Sequence, residues 1–223
     1  MWSTQLKQYF SALKAPDVPQ QYEVMNPYAQ PETMSIVDQF LSKYLHDDRK
    51  RVLLFGINPG RFGSGITGIS FTDPIRLKET LGIDHPFEMR PELSSAFIYE
   101  AIEAFGGPAR FYRDFFISAV YPLGFLHDGK NINYYELKDW KDYMIQPIVD
   151  ELNTHMKWPI QRDVAVCIGK GENFKVLKAL NKEHGWFDRI EVLPHPRWIL
   201  QYRRREKMLH LDAYLKVLSQ FSS

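Results

Sequence analysis

The sequence predicts an α/β protein with three layers, α/β/α, built around a central four-stranded, mainly parallel sheet. Three observations lead there. Four short apolar runs, at 52–57, 115–120, 164–168 and 190–193, read as strands buried on both faces. Stretches with helical spacing of apolar residues separate them, as parallel neighbours require. Each run empties into a polar or glycine-containing turn, which is where such sheets present ligand sites.

The elements follow in order. Trp2 to Leu13 reads as an amphipathic helix with Leu6, Phe10 and Leu13 on one face. Ala15 to Pro31 carries four prolines and reads as an ordered connection or arm. Glu32 to Leu45 is a second helix, with Ile36, Phe40 and Leu41 at helical spacing. After the first strand and a glycine-rich loop, Asp73-Pro74 marks a turn and Ile75 to Leu81 a short helix. Pro91 to Phe105 is a longer helix, opened by proline and closed by Gly106-Gly107. The second strand runs into Tyr121-Pro122-Leu123-Gly124-Phe125 and a loop from His127 to Asn131. Asp139 to His155 and Asn173 to Lys182 are helices on either side of the third strand, the latter after the turn Gly169-Lys170-Gly171. The fourth strand ends in Pro194-His195-Pro196-Arg197. One long helix is expected from Trp198 to Phe221, its stripe Met208, Leu211, Leu215, Leu218 packing on the core.

The 223 residues suit a single domain over 1–223, with 1–45 as a helical arm packed on it. Hydrophobic residues at 44% and charged residues at 25% are ordinary for a globular protein. The net charge of +1 excludes a global basic signature, so any nucleic-acid binding must come from a local patch. The lone Cys167 excludes an internal disulfide and fits a reducing compartment; its apolar neighbours make it a core residue. No run of 18 apolar residues and no secretory segment near Met1 is present, so a soluble, cytoplasmic protein without membrane contact is expected. No His, Cys, Asp or Glu cluster has metal-ligand spacing, so neither metal nor cofactor is expected.

The chemistry concentrates in two loops. Gly56-Ile57-Asn58-Pro59-Gly60-Arg61-Phe62-Gly63-Ser64-Gly65-Ile66-Thr67-Gly68-Ile69-Ser70-Phe71 follows the first strand. It lacks the Gly-Lys-Ser/Thr of a Walker A loop and is not a dinucleotide fingerprint. On spacing alone it is a ligand site or a tight structural turn. His195 lies at the far end of the chain, yet also just past a strand. Alone it reads equally as a satisfied histidine. The sheet topology brings both loops to one crevice.

An Asn-Pro-Gly loop paired with a His-Pro-Arg loop resembles the uracil-DNA glycosylase superfamily. The likeness is greatest to the single-strand-selective monofunctional type. Residues 56–63 and Thr67-Gly68-Ile69-Ser70-Phe71 are similar to that family's first motif almost position by position. Leu81-Gly82-Ile83, Tyr121 to Phe125 and Gly129-Lys130-Asn131 continue the likeness, and Pro194 to Arg197 resembles a shortened second motif. The resemblance implies monofunctional hydrolysis of the N-glycosidic bond of uracil and related damaged bases in base-excision repair. It implies DNA, single- or double-stranded, as partner, action as a monomer, and association with the nucleoid if the source is bacterial. The alternative is a non-catalytic DNA or damaged-base binding module on the same fold.

The resemblance also implies roles. Asn58 matches the residue that holds the attacking water, which an amide orients without taking its proton. His195 matches the donor to the departing base, where negative charge grows. Gly56, Ile57, Pro59, Gly60, Phe62, Gly68, Phe71, Ser118 and Asn131 are expected around the base. Phe71 would stack on the flipped base, or else belong to the core. Gly60 matches a position where the strictly uracil-specific branch carries tyrosine, so 5-hydroxymethyluracil is expected to fit. The family's base-reading Asn falls on Ala119, with Ser118 beside it, which extends the expected substrates to deaminated purines such as xanthine. Arg61, Lys170, Arg197, Trp198, Ile199, Arg203 and Arg204 are the candidate DNA contacts, with Arg197, Trp198 and Ile199 as wedge residues. The run Arg203-Arg204-Arg205 also reads as a solvated helix face.

Overall fold

The computed structural model describes residues 1–222. In chain order, helix α1 (Trp2–Ala12), strand β1 (Glu23–Met25) and helix α2 (Pro31–Tyr44) precede strand β2 (Arg51–Gly56). Helices α3 (Ser64–Thr67), α4 (Pro74–Glu79), α5 (Leu93–Phe105) and α6 (Pro108–Asp114) lead to strand β3 (Phe115–Ala119). Strands β4 (Gly124–His127) and β5 (Lys130–Ile132) and helix α7 (Lys141–His155) follow. Strand β6 (Ile160–Ile168), helix α8 (Glu172–His184), strand β7 (Arg189–Leu193) and helices α9 (Pro196–Tyr202) and α10 (Lys207–Phe221) complete the chain.

The four apolar runs form one parallel sheet in the order β3-β2-β6-β7, flanked by helices. Strand β2 is buried at every residue because it is central and covered on both faces, which explains its unbroken apolar run. Its first residue, Arg51, is fully buried. The guanidinium is satisfied by the Tyr112 carbonyl at 2.6 Å and Asp47 at 2.7 Å, and it lies 5.4 Å from the Trp2 ring. Helix α1 reaches the sheet through Trp2, whose ring packs on Phe116 and Trp158 at 5.3 and 5.9 Å.

Four features depart from expectation. The segment from Gly124 to Ile132 is not a loop but a β-hairpin, and β1 pairs with it to make a second, antiparallel sheet, β1-β4-β5. Asp128 and Gly129 turn it, both with positive φ (50° and 67°), the backbone a two-residue hairpin demands. Helix α6 lies in a stretch where the sequence pattern predicts no element. Helix α5 starts at Leu93, with Pro91 outside it. The expected C-terminal helix is two helices: α9 ends at Tyr202, a 3₁₀ turn over Arg204–Glu206 intervenes, and α10 starts at Lys207. No Gly or Pro marks that break. It lets α9 and α10 pack separately on α5, with Lys207 bonded to Glu100 at 2.6 Å. Consequently Met208 is exposed, while Leu211 and Leu218 remain in the core.

Candidate active site

Parallel strands place their carboxyl ends on one side. Those of β2, β3 and β7 open onto a crevice of about 410 Å³. Its walls include Gly56, Ile57, Asn58, Pro59 and Gly60 after β2, Ser118 and Ala119 at the end of β3, and His195 after β7. The hairpin contributes Asn131 and Ile132. A neighbouring cavity of about 300 Å³ shares His195 and Trp198 with it and adds Gly169 and Lys170 beyond β6.

Asn58 is held from both ends. Its Oδ1 accepts the Tyr134 N–H at 3.0 Å, and its Nδ2 donates to the carbonyl of Ile132 at 3.3 Å. An N–H meets only an acceptor and a carbonyl only a donor, so these partners fix which way the amide points. One Oδ1 lone pair stays available to a water. The clamp is itself anchored. Tyr134 donates its hydroxyl to Asn173 Oδ1 at 2.9 Å, and Asn173 Nδ2 donates to the Gly56 carbonyl at 3.2 Å. Tyr134 and Asn173 are buried, and no sequence motif singles them out, since each looks like ordinary filling of a loop or helix start.

Phe71 lies across Gly56. A Cβ on Gly56 would stand 2.9 Å from the Phe71 ring, so only glycine admits it there. Phe71 adopts φ of 53°, unusual for a bulky residue and characteristic of strained functional positions. The bend is held by Thr67 Oγ1 donating to the Thr72 carbonyl at 2.7 Å and by the Thr72–Tyr99 hydroxyl pair at 2.8 Å. The Phe71 and His195 rings are 5.7 Å apart.

His195 caps helix α9. Its Nδ1 accepts the Arg197 N–H at 3.2 Å, so Nδ1 carries no proton. Burial, and secondarily the Arg197 charge, push its pKa down to about 4. The ring is therefore neutral at physiological pH and its single proton sits on Nε2, which has no protein partner among the described residues. The cap thus makes His195 a neutral donor that lines the crevice.

Ser118 has the opposite polarity. Buried His155 places Nδ1 2.6 Å from the Glu151 carbonyl, which can only accept, and burial pushes its pKa down to about 4. The proton is on Nδ1, so Nε2 accepts the Ser118 hydroxyl at 2.6 Å. Ser118 oxygen, with its proton committed to His155, offers only lone pairs to the crevice.

The uracil DNA glycosylase superfamily model matches residues 43–219, which span β2, the glycine loop, the hairpin and both site loops. The chain belongs to this superfamily. Among solved structures it is similar to wild-type SMUG2 of Pedobacter heparinus, at 37% identity and a TM-score of 0.95, over 98% of this chain and 97% of that one. The function is therefore of the uracil-DNA glycosylase type, a DNA glycosylase of base-excision repair with DNA as its partner.

In this superfamily member not every residue expected at the site lies there. Gly68 is the left-handed cap of α3 (φ 70°), packed against Val37, Thr33 and Tyr28, and lines neither cavity. Phe62 also stands outside the crevice, with the Arg61 and Arg90 guanidinium groups 4.4 and 5.4 Å from its ring. Ile199 is fully buried and cannot be a wedge, because α9 turns it to the core while Arg197 and Trp198 face out. Asn131 spends its Oδ1 on the Arg61 N–H at 3.1 Å, clamping the glycine loop to the hairpin. Arg61 donates to the Gly129 carbonyl and does not line the crevice.

Arg197 and Trp198 line the crevice, joined by Gln201 and Tyr202 from the same helix. Arg203 lies 5.5 Å from the Trp198 ring, and Arg204 is exposed in the following turn. Lys170 is exposed on the neighbouring cavity. Glu92, directly before α5, is a crevice residue that no motif announces. Among the described residues no group of His, Cys, Asp and Glu could hold a metal ion, and no helix is long and apolar enough to cross a membrane.

Proposed function

We propose that this chain hydrolyses the N-glycosidic bond of uracil and related damaged bases by attack of water at C1′, releasing the base and leaving an abasic site. The observation that carries the reading is a neutral, tautomer-locked His195 donor and a clamped Asn58 amide lining the same crevice. The transition state is oxocarbenium-like at the sugar, and the base leaves as an anion. His195 Nε2–H donates to the developing charge on O2, which needs no imidazolium. Asn58 Oδ1 accepts from the attacking water and aims it. The water's proton passes to solvent and the base is protonated as it departs. Phe71 stacks on the base.

Ser118 supplies the base reading that Ala119 cannot. An acceptor at that place suits the N3–H of uracil and opposes the N3 lone pair of cytosine. Ser118→Ala is expected to slow uracil excision roughly tenfold, because a buried base N–H is left unpaired. Single-turnover rates on a uracil oligonucleotide check this, and an unchanged rate assigns the reading elsewhere.

The grip on DNA falls to Arg197, Arg203, Arg204 and Lys170 around the crevice, with Trp198 and exposed Tyr202 as the wedge. Replacing Arg203, Arg204 and Arg205 together by alanine is expected to weaken binding and to reduce the salt slope by roughly one for each phosphate no longer neutralised. Titration of labelled DNA at several salt concentrations measures it, and an unchanged slope returns these residues to solvent. The experiment that tests the function is alkali cleavage of labelled oligonucleotides bearing uracil, 5-hydroxymethyluracil or xanthine after incubation with the protein. Cleavage at the damaged base is the expected result. Binding with no abasic product from any of them would favour the non-catalytic module.

A further inference from the structure

We infer that Glu92 is a catalytic residue for deaminated purines, its carboxylic acid giving a proton to purine N7 as the bond from C1′ to N9 breaks. The inference rests on the glycosylase reading above and extends it to a second leaving-group chemistry.

The placement comes first. Glu92 lines the crevice, and its Oε1 lies 3.2 Å from the point a Gly60 Cβ would occupy. Its Oε2 sits so close against Gly63 that any side chain at 63 would displace it. Two glycines of the loop therefore make the seat for this carboxyl group. The space expected beside Gly60 is in part taken by Glu92 and by Asn131. Among the described residues, no hydrogen bond or ion pair satisfies either carboxyl oxygen. An unpartnered acid in a half-buried crevice is costly unless a ligand meets it.

The electrostatics make it an acid. Burial is the main cause, and Asp73 adds to it, pushing the Glu92 pKa up to about 7, while Arg197 from α9 opposes the rise. Asp73 is fully buried and held by the N–H groups of Arg76 and Glu92, both at 2.8 Å, with the Arg76 guanidinium 3.6 Å away. His195, also in the crevice, is neutral above about pH 4, and the remaining titratable side chains lining it are Tyr135, Tyr202 and Glu136, the last accepting the Asn133 N–H at 2.6 Å. At neutral pH a large fraction of Glu92 therefore carries its proton.

The chemistry then selects the substrate. Pyrimidine C5 and purine N7 are both two bonds from the glycosidic nitrogen, on the same side of the ring. The Gly60 wall that faces a pyrimidine's 5-position therefore faces N7 of a purine. C5 of uracil has nothing to accept a proton, so uracil depends on His195 alone. N7 of xanthine or hypoxanthine has a lone pair. Protonation there draws the C1′–N9 electron pair into the ring, and the base leaves neutral. Water held by Asn58 adds to C1′ and gives its proton to solvent, from which Glu92 is reprotonated. Atoms and charge balance with water as the only co-reactant.

The test is Glu92→Gln, with Glu92→Ala beside it, in single-turnover assays on oligonucleotides carrying xanthine, hypoxanthine or uracil between pH 5.5 and 8.5. Wild-type purine excision is expected to fall as pH rises through about 7. The glutamine variant should lose roughly 100-fold on purines and lose that pH dependence, because an amide has no proton to transfer. Its uracil rate should fall far less than its purine rates, and an unchanged thermal unfolding midpoint shows that the variant folds. Equal losses on uracil and purines would overturn the inference in favour of a structural role. So would a wild-type protein that excises uracil but no purine, or a glutamine variant that keeps its purine activity. Absence of excision from every base would instead defeat the glycosylase reading on which it rests.

Discussion

His195→Ala is expected to slow single-turnover excision of uracil by roughly 10²–10³-fold, the usual loss when one preorganised donor to a developing anion is removed. The side chain has two functions in the structure. Its Nδ1 caps α9 through the Arg197 N–H, and its Nε2–H is directed by that bond to be the donor. Alanine removes both, and loss of the cap costs about 1 kcal/mol of stability. His195→Asn separates them, since a short amide can keep the cap without reaching the base. The same large rate loss with near wild-type thermal stability is expected of it. The pH profile gives a further check. A ring whose pKa is pushed down to about 4 stays neutral from pH 5.5 to 8, so uracil excision should not rise as pH falls through 6.5. An acid limb near pH 6.5 that disappears in the variant would show that the imidazolium form does the work.

Asn58→Ala should cost a similar or larger factor, roughly 10³-fold on every base, with DNA binding retained. The loss has two parts. The water loses its acceptor, and the Tyr134 N–H and Ile132 carbonyl lose the amide that ties the hairpin to β2. Asn58→Asp is informative because it looks conservative. One carboxylate oxygen would still accept from Tyr134, but the other would face the carbonyls of Ile132 and Pro59, where Nδ2 now donates. Repulsion there should raise the pKa of the new carboxyl group and turn it away. We expect Asn58→Asp to remain below wild type at pH 7. A faster Asn58→Asp variant would show that the clamp yields and that a true base is accepted. Retention of wild-type rates by Asn58→Ala would move the water site away from this loop.

What the sequence alone determined is the central sheet and the two loops at its rim. Buried parallel strands need apolar runs, and residues 52–55 of β2, 115–117 of β3 and 164–168 of β6 supply them, while β7 at the sheet edge is only partly buried and carries Glu191. Asn58, Gly60 and His195 were legible because each closely follows such a strand, and strand ends in this topology must converge. Phe71 was legible as a motif position, but its reason was not, since its approach to Gly56 is a property of folded backbone. The hairpin from Gly124 to Ile132 carried a signal in Asp128-Gly129 that its short, mixed strands obscured.

Only the tertiary structure decided the polarity of the site. Whether a histidine donates, a serine accepts or a glutamate keeps its proton depends on what its other atoms touch. For His195 the partner is local, the Arg197 N–H two residues on, but the others are distant in sequence: Ser118 with His155, Asn58 with Tyr134, Glu92 with Asp73. Ile199 and Trp198 are adjacent in the chain and meet opposite fates, core and crevice, because a helix turns each residue about 100° from the last. The break between α9 and α10, unmarked by Gly or Pro, likewise follows from packing on α5. Local pattern places backbone at the crevice, while burial and hydrogen bonds, most of them long-range, assign its side chains their charge and their protons.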